Sequence, residues 1–202
     1  TDSEYTEHRE SFDCTNQDIL VKETSGNIKI VPSEDDKIHL ICWESEDEAY
    51  EVTEGETLKI EKTEHYKWYE RLFSFRIHSY DVTVMVPEGY NGNIDVETGS
   101  GSLEVQGVTA DNISVNSDNG EIEVRDTKAA GSVNTGTSNG NITVDSTSAG
   151  SMLKAVTSNG SVEIKSAAAN DITAESSLGS IELADVSVSG ETHVKSGNGY
   201  IR

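Results

Sequence analysis

The second half of the sequence repeats one pattern every nineteen or twenty residues: a hydroxyl residue, a turn that ends in glycine, and two apolar residues separated by a polar one. The glycines are Gly101, Gly120, Gly140, Gly160, Gly179 and Gly199. The hydroxyl residues, three positions before each glycine, are Thr98, Ser117, Thr137, Thr157, Ser176 and Ser196. A fixed period of this length is typical of repeat architectures, in which each unit buries its apolar face against the next.

Apolar residues also stand seven and five positions before most of these glycines, so each repeat predicts two short strands that flank the glycine turn. The same offsets around Gly26 place Ile19, Val21, Ile28 and Ile30 in an earlier unit of the same kind. We therefore expect an all-β parallel solenoid, or β-helix, with about 20 residues per coil. Because Asn-Gly flanked by strands is also a strong hairpin signal, an antiparallel β-sandwich or meander is the alternative.

The turn residues have a structural interpretation in this fold. Glycine at the corner is expected to supply a positive φ that a side chain would oppose. The six equivalent hydroxyls predict a ladder that satisfies the backbone of the turns, since no histidine lies near Ser117, Thr137, Thr157 or Ser176 in sequence to activate a nucleophile. Asparagine and serine in the turns are expected to make local bonds from side chain to backbone.

The charge and the hydrophobicity of the chain limit the classes of partner that it can bind. The net charge of −22 disfavours nucleic acid and anionic membrane surfaces, because binding to either depends on Lys and Arg that neutralise phosphates. No apolar run approaches the roughly 18 residues that a membrane helix needs, so this segment is not expected to insert directly into a membrane.

Three segments are expected along the chain. Residues 1–11 are a flexible acidic leader, residues 12–90 form an N-terminal β part with an irregular insertion, and residues 91–202 are the solenoid repeats, continuous with that part. Residues 37–90 break the period and carry most of the aromatic side chains. Five of these would form an interaction patch if exposed, or would cap the open end of the solenoid if buried: Tyr66, Trp68, Tyr69, Phe73 and Phe75.

The two cysteines, Cys14 and Cys42, allow one disulfide, and two buried thiols are the alternative. Neither cysteine lies in a redox or zinc motif. The five histidines have no metal-binding spacing, and the turns lack the repeated aspartate of calcium-binding β-rolls, so no metal or other cofactor is predicted. No catalytic residues are predicted either, and we expect the protein not to be an enzyme.

The strand at residues 82–86, closed by Pro87 and followed by the repeated units, resembles the bacterial putative-adhesin family, whose domain has no assigned function. The resemblance extends from about Phe12 to Arg202. It implies a right-handed β-helical domain of cell-envelope proteins, outside the cytoplasm, with its anchor outside this chain and with no established catalytic residues.

The leading hypothesis is therefore a non-enzymatic surface domain that acts in adhesion or envelope-stress signalling, with a surface protein or a glycan as its partner. A structural module that forms a homodimer through the solenoid end is the alternative. A polysaccharide-active enzyme is the third hypothesis, based on the fold alone.

Overall fold

A computed structural model describes residues 4–13, 17–64 and 80–202 of the 202-residue chain. These residues contain strands and no helix. The strands are β1 (Thr6–Asp13), β2 (Asp18–Glu23), β3 (Ile28–Pro32), β4 (Lys37–Glu44), β5 (Glu48–Thr53), β6 (Thr57–Glu64), β7 (Val82–Val86), β8 (Ile94–Ser100), β9 (Leu103–Gln106), β10 (Thr109–Ala110), β11 (Ile113–Asn119), β12 (Ile122–Arg125), β13 (Lys128–Ala129), β14 (Val133–Asn139), β15 (Ile142–Asp145), β16 (Ser148–Asn159), β17 (Val162–Lys165), β18 (Ala168–Ser176), β19 (Ile181–Ala184), β20 (Ser187–Val188) and β21 (Thr192–Ser196).

The strands from β8 onward wind into the expected parallel solenoid. Ile94 pairs in register with Ile113, and the same position recurs one coil later at Val133 and then at Leu153. Each coil therefore advances 19 or 20 residues, as the period predicts. The parallel pairing confirms the solenoid in place of the sandwich or meander.

Each coil has three sides rather than the two that the sequence predicts. Side 1 precedes the glycine and contains β8, β11, β14 and the later parts of β16 and β18. Side 2 follows the glycine and contains β9, β12, β15, β17 and β19. Side 3 is a column of two-residue pairings in β10, β13, β20 and the first residues of β16 and β18.

Side 3 escapes sequence analysis because two residues cannot show an alternating pattern. Its inward positions are small, with Ala110, Ala129 and Ala149 all buried. Thr127 and Thr147 are buried just before them, and each hydroxyl donates to a carbonyl two residues earlier in the chain. Small side chains here let the third side close over the aliphatic columns of the other two sides.

The repeat glycines are required by a close approach of two coils and not by a positive φ. A Cβ on Gly140 would overlap the carbonyl oxygen of Gly120 in the preceding coil, and the other repeat glycines have the same relation to their neighbours. The same Gly120 oxygen accepts a hydrogen bond of 3.1 Å from Oγ1 of Thr137. The predicted hydroxyl ladder is thus confirmed, and it joins consecutive coils.

Positive φ occurs at another corner, six residues after each repeat glycine from Gly101 to Gly179, where the chain turns from side 2 to side 3. Gly107 has φ of 70° there, and the next two coils place Asp126 and Ser146 at 48° and 50°. Ser166 and Asp185 continue the series. These coils therefore contain a residue with positive φ, as expected. It lies at the corner between sides 2 and 3 and not at the repeat glycine.

Asparagines of the turns bond to each other between coils, which differs from the local bonds expected. Nδ2 of Asn139 donates to Oδ1 of Asn119 at 2.8 Å, and Nδ2 of Asn159 donates to Oδ1 of Asn139 at the same distance. These three residues are called the asparagine ladder below.

The N-terminal part continues the solenoid, but in an order that differs from the chain order. β2 and β3 stack in parallel on β8 and β9, which confirms the early unit at Ile19–Ile30. β6 and β7 then form a further parallel layer on β2 and β3. Residues 37–64 and 80–90, which interrupt the period in sequence, thus extend the stack in space.

Antiparallel strands close this end of the stack. β5 pairs with β6, β4 pairs with β7, and β1 pairs with β4. Residues 6–13 therefore form an edge strand, mostly within the segment expected to be a flexible leader. Phe12 is the one buried side chain of β1, and the others face solvent.

Replacing Gly140 by alanine tests the close approach of the coils. The added Cβ has no space against the Gly120 oxygen, so the two coils must separate, and we expect a loss of about 3 kcal/mol in the free energy of unfolding. Urea denaturation measures it. Gly55→Ala is the matched control, because its nearest neighbour lies 3.9 Å away and its φ is not positive. Equal stability of the two variants would contradict the close-approach account.

Candidate functional site

The sequence between β6 and β7 contains no glycine, unlike the sequence between the two main strands of the later coils. β6 belongs to side 1 and β7 to side 2, so residues 65–81 join the two sides where the other coils use a short turn. The predicted patch of Tyr66, Trp68, Tyr69, Phe73 and Phe75 lies outside the described residues and stays a prediction.

At the N-terminal end of the solenoid, the position of the ladder hydroxyl is taken by a buried carboxylate at the end of β2. Glu23 pairs in register with Thr98 and so occupies the position that serine or threonine holds in the following coils. Its side chain is fully buried and accepts hydrogen bonds from the backbone N–H groups of Thr24, at 2.6 Å, and Ser25, at 3.1 Å. The charged group therefore stabilises its own turn, as the hydroxyls do between coils.

Lys62 and Tyr50 also contact this carboxylate, through an ion pair and a hydrogen bond. Lys62 Nζ lies 3.2 Å from Oε1 of Glu23 and 2.9 Å from Oε2 of Glu48, and the Tyr50 hydroxyl donates to the same Glu23 oxygen. Two carboxylates thus share one ammonium in a site almost closed to solvent. Such a group is stable only while each charge keeps its partner.

The environment shifts the pKa of both partners upward. Burial raises the pKa of Tyr50 far above its usual value of 10.0, and the negative charge of Glu23 adds to this effect. Burial lowers the pKa of Lys62, but the charges of Glu23 and Glu48 and their hydrogen bonds outweigh it, so the net pKa is raised. Both groups hold their protons in the folded protein.

Three aromatic rings lie beside the ionic group. The Trp43 and Tyr80 rings are stacked with centroids 5.1 Å apart, and the Tyr5 ring is tilted against Tyr80 at 4.7 Å. Burial and the nearby Glu48 carboxylate raise the pKa of Tyr5. Rings and charges together form what we call the cap cluster: Tyr5, Glu23, Trp43, Glu48, Tyr50, Lys62 and Tyr80.

A shallow groove of about 490 Å³ runs from the cap cluster along the outward face of side 1. Glycines at positions 99 and 136 remove side chains from its floor, and Asn116 and Ser138 line its walls. Lys22 and Glu97, 3.4 Å apart, border its N-terminal end next to Glu23. Its lining residues span five successive strands of side 1, from Lys22 in β2 to Val156 in β16, which gives a length of about 19 Å at the usual spacing of strands.

One group outside the groove has the composition of a hydrolase triad. Ser11 Oγ lies 2.7 Å from Nδ1 of His39, whose Nε2 lies 2.7 Å from Oδ1 of Asp35. The backbone N–H of Lys37 and the His39 ring lower the pKa of Asp35 to about 2. Sequence analysis missed this group, because only the pairing of β1 with β4 brings the three residues together.

The position of this triad favours a structural role. The Ser11 hydroxyl is exposed on the edge strand, and β4 uses its backbone groups in pairing with β1 and β7 on its two sides. An oxyanion formed at Ser11 would therefore face water, whereas hydrolases stabilise it with fixed donors. The three side chains tie β1 to β4.

Other predicted sites are resolved only in part. Cys42 is buried in β4, and Cys14 lies outside the described residues, so the disulfide stays a prediction. The described ranges hold no group of three or more His, Cys, Asp or Glu side chains placed to bind a metal ion. Among the described residues there is also no helix long and apolar enough to cross a membrane.

Parallel coils, a hydroxyl ladder between them and an antiparallel end define a β-solenoid domain with a groove along one side. The chain belongs to the Toastrack DUF4097 family, whose model matches residues 16–202. This confirms the family that the sequence resembles. No curated protein matches the chain.

Three solved structures resemble the chain at low sequence identity, and the first of them shows the same fold. A "putative adhesin" from Bacteroides fragilis is 17% identical, with 97% of this chain and 96% of that chain covered and a TM-score of 0.57. A second "putative adhesin", from Parabacteroides distasonis, is 14% identical over 100% of this chain and 98% of the other, with a TM-score of 0.44. A "putative cell adhesion protein" from Clostridium sporogenes is 13% identical over 98% of both, with a TM-score of 0.42.

Titration of the cap cluster predicts a loss of stability in alkali. The unfolded chain releases the Tyr50 proton near pH 10, whereas the folded protein retains it. The folded state then binds more protons, so the free energy of unfolding falls as the pH rises above about 10. The raised pKa of Lys62 acts in the same direction.

Urea denaturation across this alkaline range measures the slope. Tyr50→Phe removes one titrating group as well as a hydrogen bond to Glu23. We therefore expect the variant to be less stable at neutral pH and to show a shallower decline in alkali. A variant whose slope equals that of the original protein would show that the cap cluster does not control this loss.

Proposed function

We propose that the chain is a non-enzymatic adhesion domain of the bacterial cell surface that binds an extended, uncharged glycan along the groove on side 1. The observation that carries this proposal is the groove itself, which is long and open, with the Asn116 amide and the Ser138 hydroxyl among the groups on its sheet. Such groups can bond to sugar hydroxyls without rearrangement of the backbone, which keeps the cost of binding low.

The charges along the groove favour a ligand without anionic groups. Glu97 and Asp118 border it together with Lys22, and the whole chain carries a net charge of −22. Phosphate or carboxylate polymers would therefore be repelled at moderate salt. Nucleic acid is disfavoured by the same charge.

The family and the shared fold support a location outside the cytoplasm. The structural relative from Bacteroides fragilis bears the description "putative adhesin", and adhesion requires display to the exterior. In this proposal an anchor outside the present chain holds the domain at the membrane. Self-association through the solenoid end remains the alternative, and a surface protein as ligand is an outcome that the test below distinguishes.

A pair of matched serines tests the groove. Ser138 and Ser158 each lie in the sequence Thr-Ser-Asn-Gly, and both are exposed, but only Ser138 lines the groove. An arginine at position 138 fills the groove, so we expect Ser138→Arg to weaken binding by at least about tenfold, while Ser158→Arg changes it little. Thermal unfolding of both variants checks that the fold is intact.

The measurement begins with a glycan array and continues with calorimetric titration of the glycans that bind. Loss of binding in Ser138→Arg alone supports the groove as the site. Binding that survives in Ser138→Arg would place the site elsewhere. An absence of glycan binding, together with capture of a defined surface protein, would favour the protein ligand over the glycan.

A further inference from the structure

We infer that Asn159 is a site of spontaneous deamidation, and that the stacked coils protect Asn119 and Asn139, which carry the same Asn-Gly dipeptide. In this reaction the backbone nitrogen of the following glycine attacks Cγ of asparagine and ammonia leaves. The resulting cyclic imide adds water and opens to aspartate or isoaspartate. The reaction needs a free glycine N–H and an asparagine side chain that can rotate toward it.

Pairing with the next coil blocks both requirements at the first two positions. The N–H groups of Gly120 and Gly140 donate to the carbonyls of the following coil at 3.0 and 3.1 Å. The Oδ1 atoms of Asn119 and Asn139 each accept from the asparagine above at 2.8 Å. Nucleophile and electrophile are thus held in separate hydrogen bonds, and reaction requires local opening of the sheet.

The pairing with the next coil ends two residues before Asn159 and therefore does not protect it. In the earlier coils the paired strands include the asparagines, since Asn119 pairs with Asn139 and Asn139 pairs with Asn159. Between β16 and β18 the pairing ends at Thr157 with Ser176. Within the described hydrogen bonds, none is donated by the Gly160 N–H and none is accepted by Oδ1 of Asn159.

The missing donor to Oδ1 of Asn159 is explained by one residue of the next coil. Leu178 takes the place that asparagine has in the repeat, two positions after the ladder hydroxyl of Ser176. The Leu178 residue, which is 57% exposed, has no side-chain donor for Oδ1 of Asn159. The asparagine ladder therefore ends at Asn159, with its reactive face toward solvent.

The reaction changes the contacts of Asn159 with the preceding coil. Conversion to a carboxylate removes the Nδ2 group that donates to Asn139 Oδ1 at 2.8 Å and to the Ser138 carbonyl at 3.4 Å, so the last contact of the asparagine ladder is lost. Isoaspartate also adds a backbone carbon at the corner between sides 1 and 2. We expect the modification to loosen the coil that begins at Gly160 while the earlier coils stay paired.

Incubation of the intact protein at mildly alkaline pH, followed by peptide mapping with mass spectrometry, tests the inference. Asn159 should deamidate at least about tenfold faster than Asn139, although both lie in Thr-Ser-Asn-Gly. In urea, where the fold is absent, the two should react at similar rates. Equal rates in the folded protein, or a rate difference that persists in urea, would overturn the inference.

Two variants of Leu178 isolate the cause. Leu178→Asn supplies the missing donor and should slow the reaction of Asn159 toward the rate of Asn139. Leu178→Ala removes the leucine without adding a donor and should leave Asn159 as reactive as before. Protection by both variants, or by neither, would contradict the role assigned to the asparagine ladder. Denaturation of each variant confirms that the rates refer to folded protein.

Discussion

One carbonyl oxygen in each coil determines how the next coil can stack. The Gly140 oxygen accepts a 2.9 Å bond from the Thr157 hydroxyl and leaves no room for a Cβ on Gly160. The glycine and the hydroxyl residue therefore both contact the same carbonyl oxygen of the preceding coil. This shared contact explains why they recur together at a fixed separation of three residues. The aliphatic columns supply the burial that stabilises the stack, while this contact sets its register.

The N-terminal end shows what happens where this constraint cannot repeat. The sequence between β6 and β7, residues 65–81, contains no glycine, so this layer cannot offer Glu23 the glycine carbonyl that the later hydroxyls meet. A buried carboxylate with Lys62 and Tyr50 fills the place instead. Antiparallel β4 and β5 then cover the last parallel layer, which protects edges that would otherwise be free to pair.

Much of the fold could be predicted from the sequence, because the period, the strand positions and the hydroxyl ladder all follow from residue offsets around Gly101 and its equivalents. The third side could not, since Thr109–Ala110 is too short to show alternation. The order of coils at the N-terminal end was also hidden, because β6 and β7 reach their places through tertiary pairing and not through the repeat.

The candidate site was less accessible to sequence analysis. The aromatic segment drew attention to residues 37–90, and the cap cluster lies there in part, but its central residue is Glu23. One signal was present: an acid three residues before Gly26, where every later unit has serine or threonine. The groove has no sequence signal of its own, since it arises from glycines 99 and 136, which belong to different coils.

Hydrogen–deuterium exchange of a Thr157→Val variant tests most directly whether the hydroxyl-to-glycine contact couples the coils. Valine keeps the shape of threonine and removes only the donor to the Gly140 oxygen. The account predicts that amides of the two coils joined by this contact exchange about tenfold faster or more, while distant coils and an outward Thr143→Val control keep their original rates. Unchanged exchange next to residue 157, or an equal effect in the control, would contradict it.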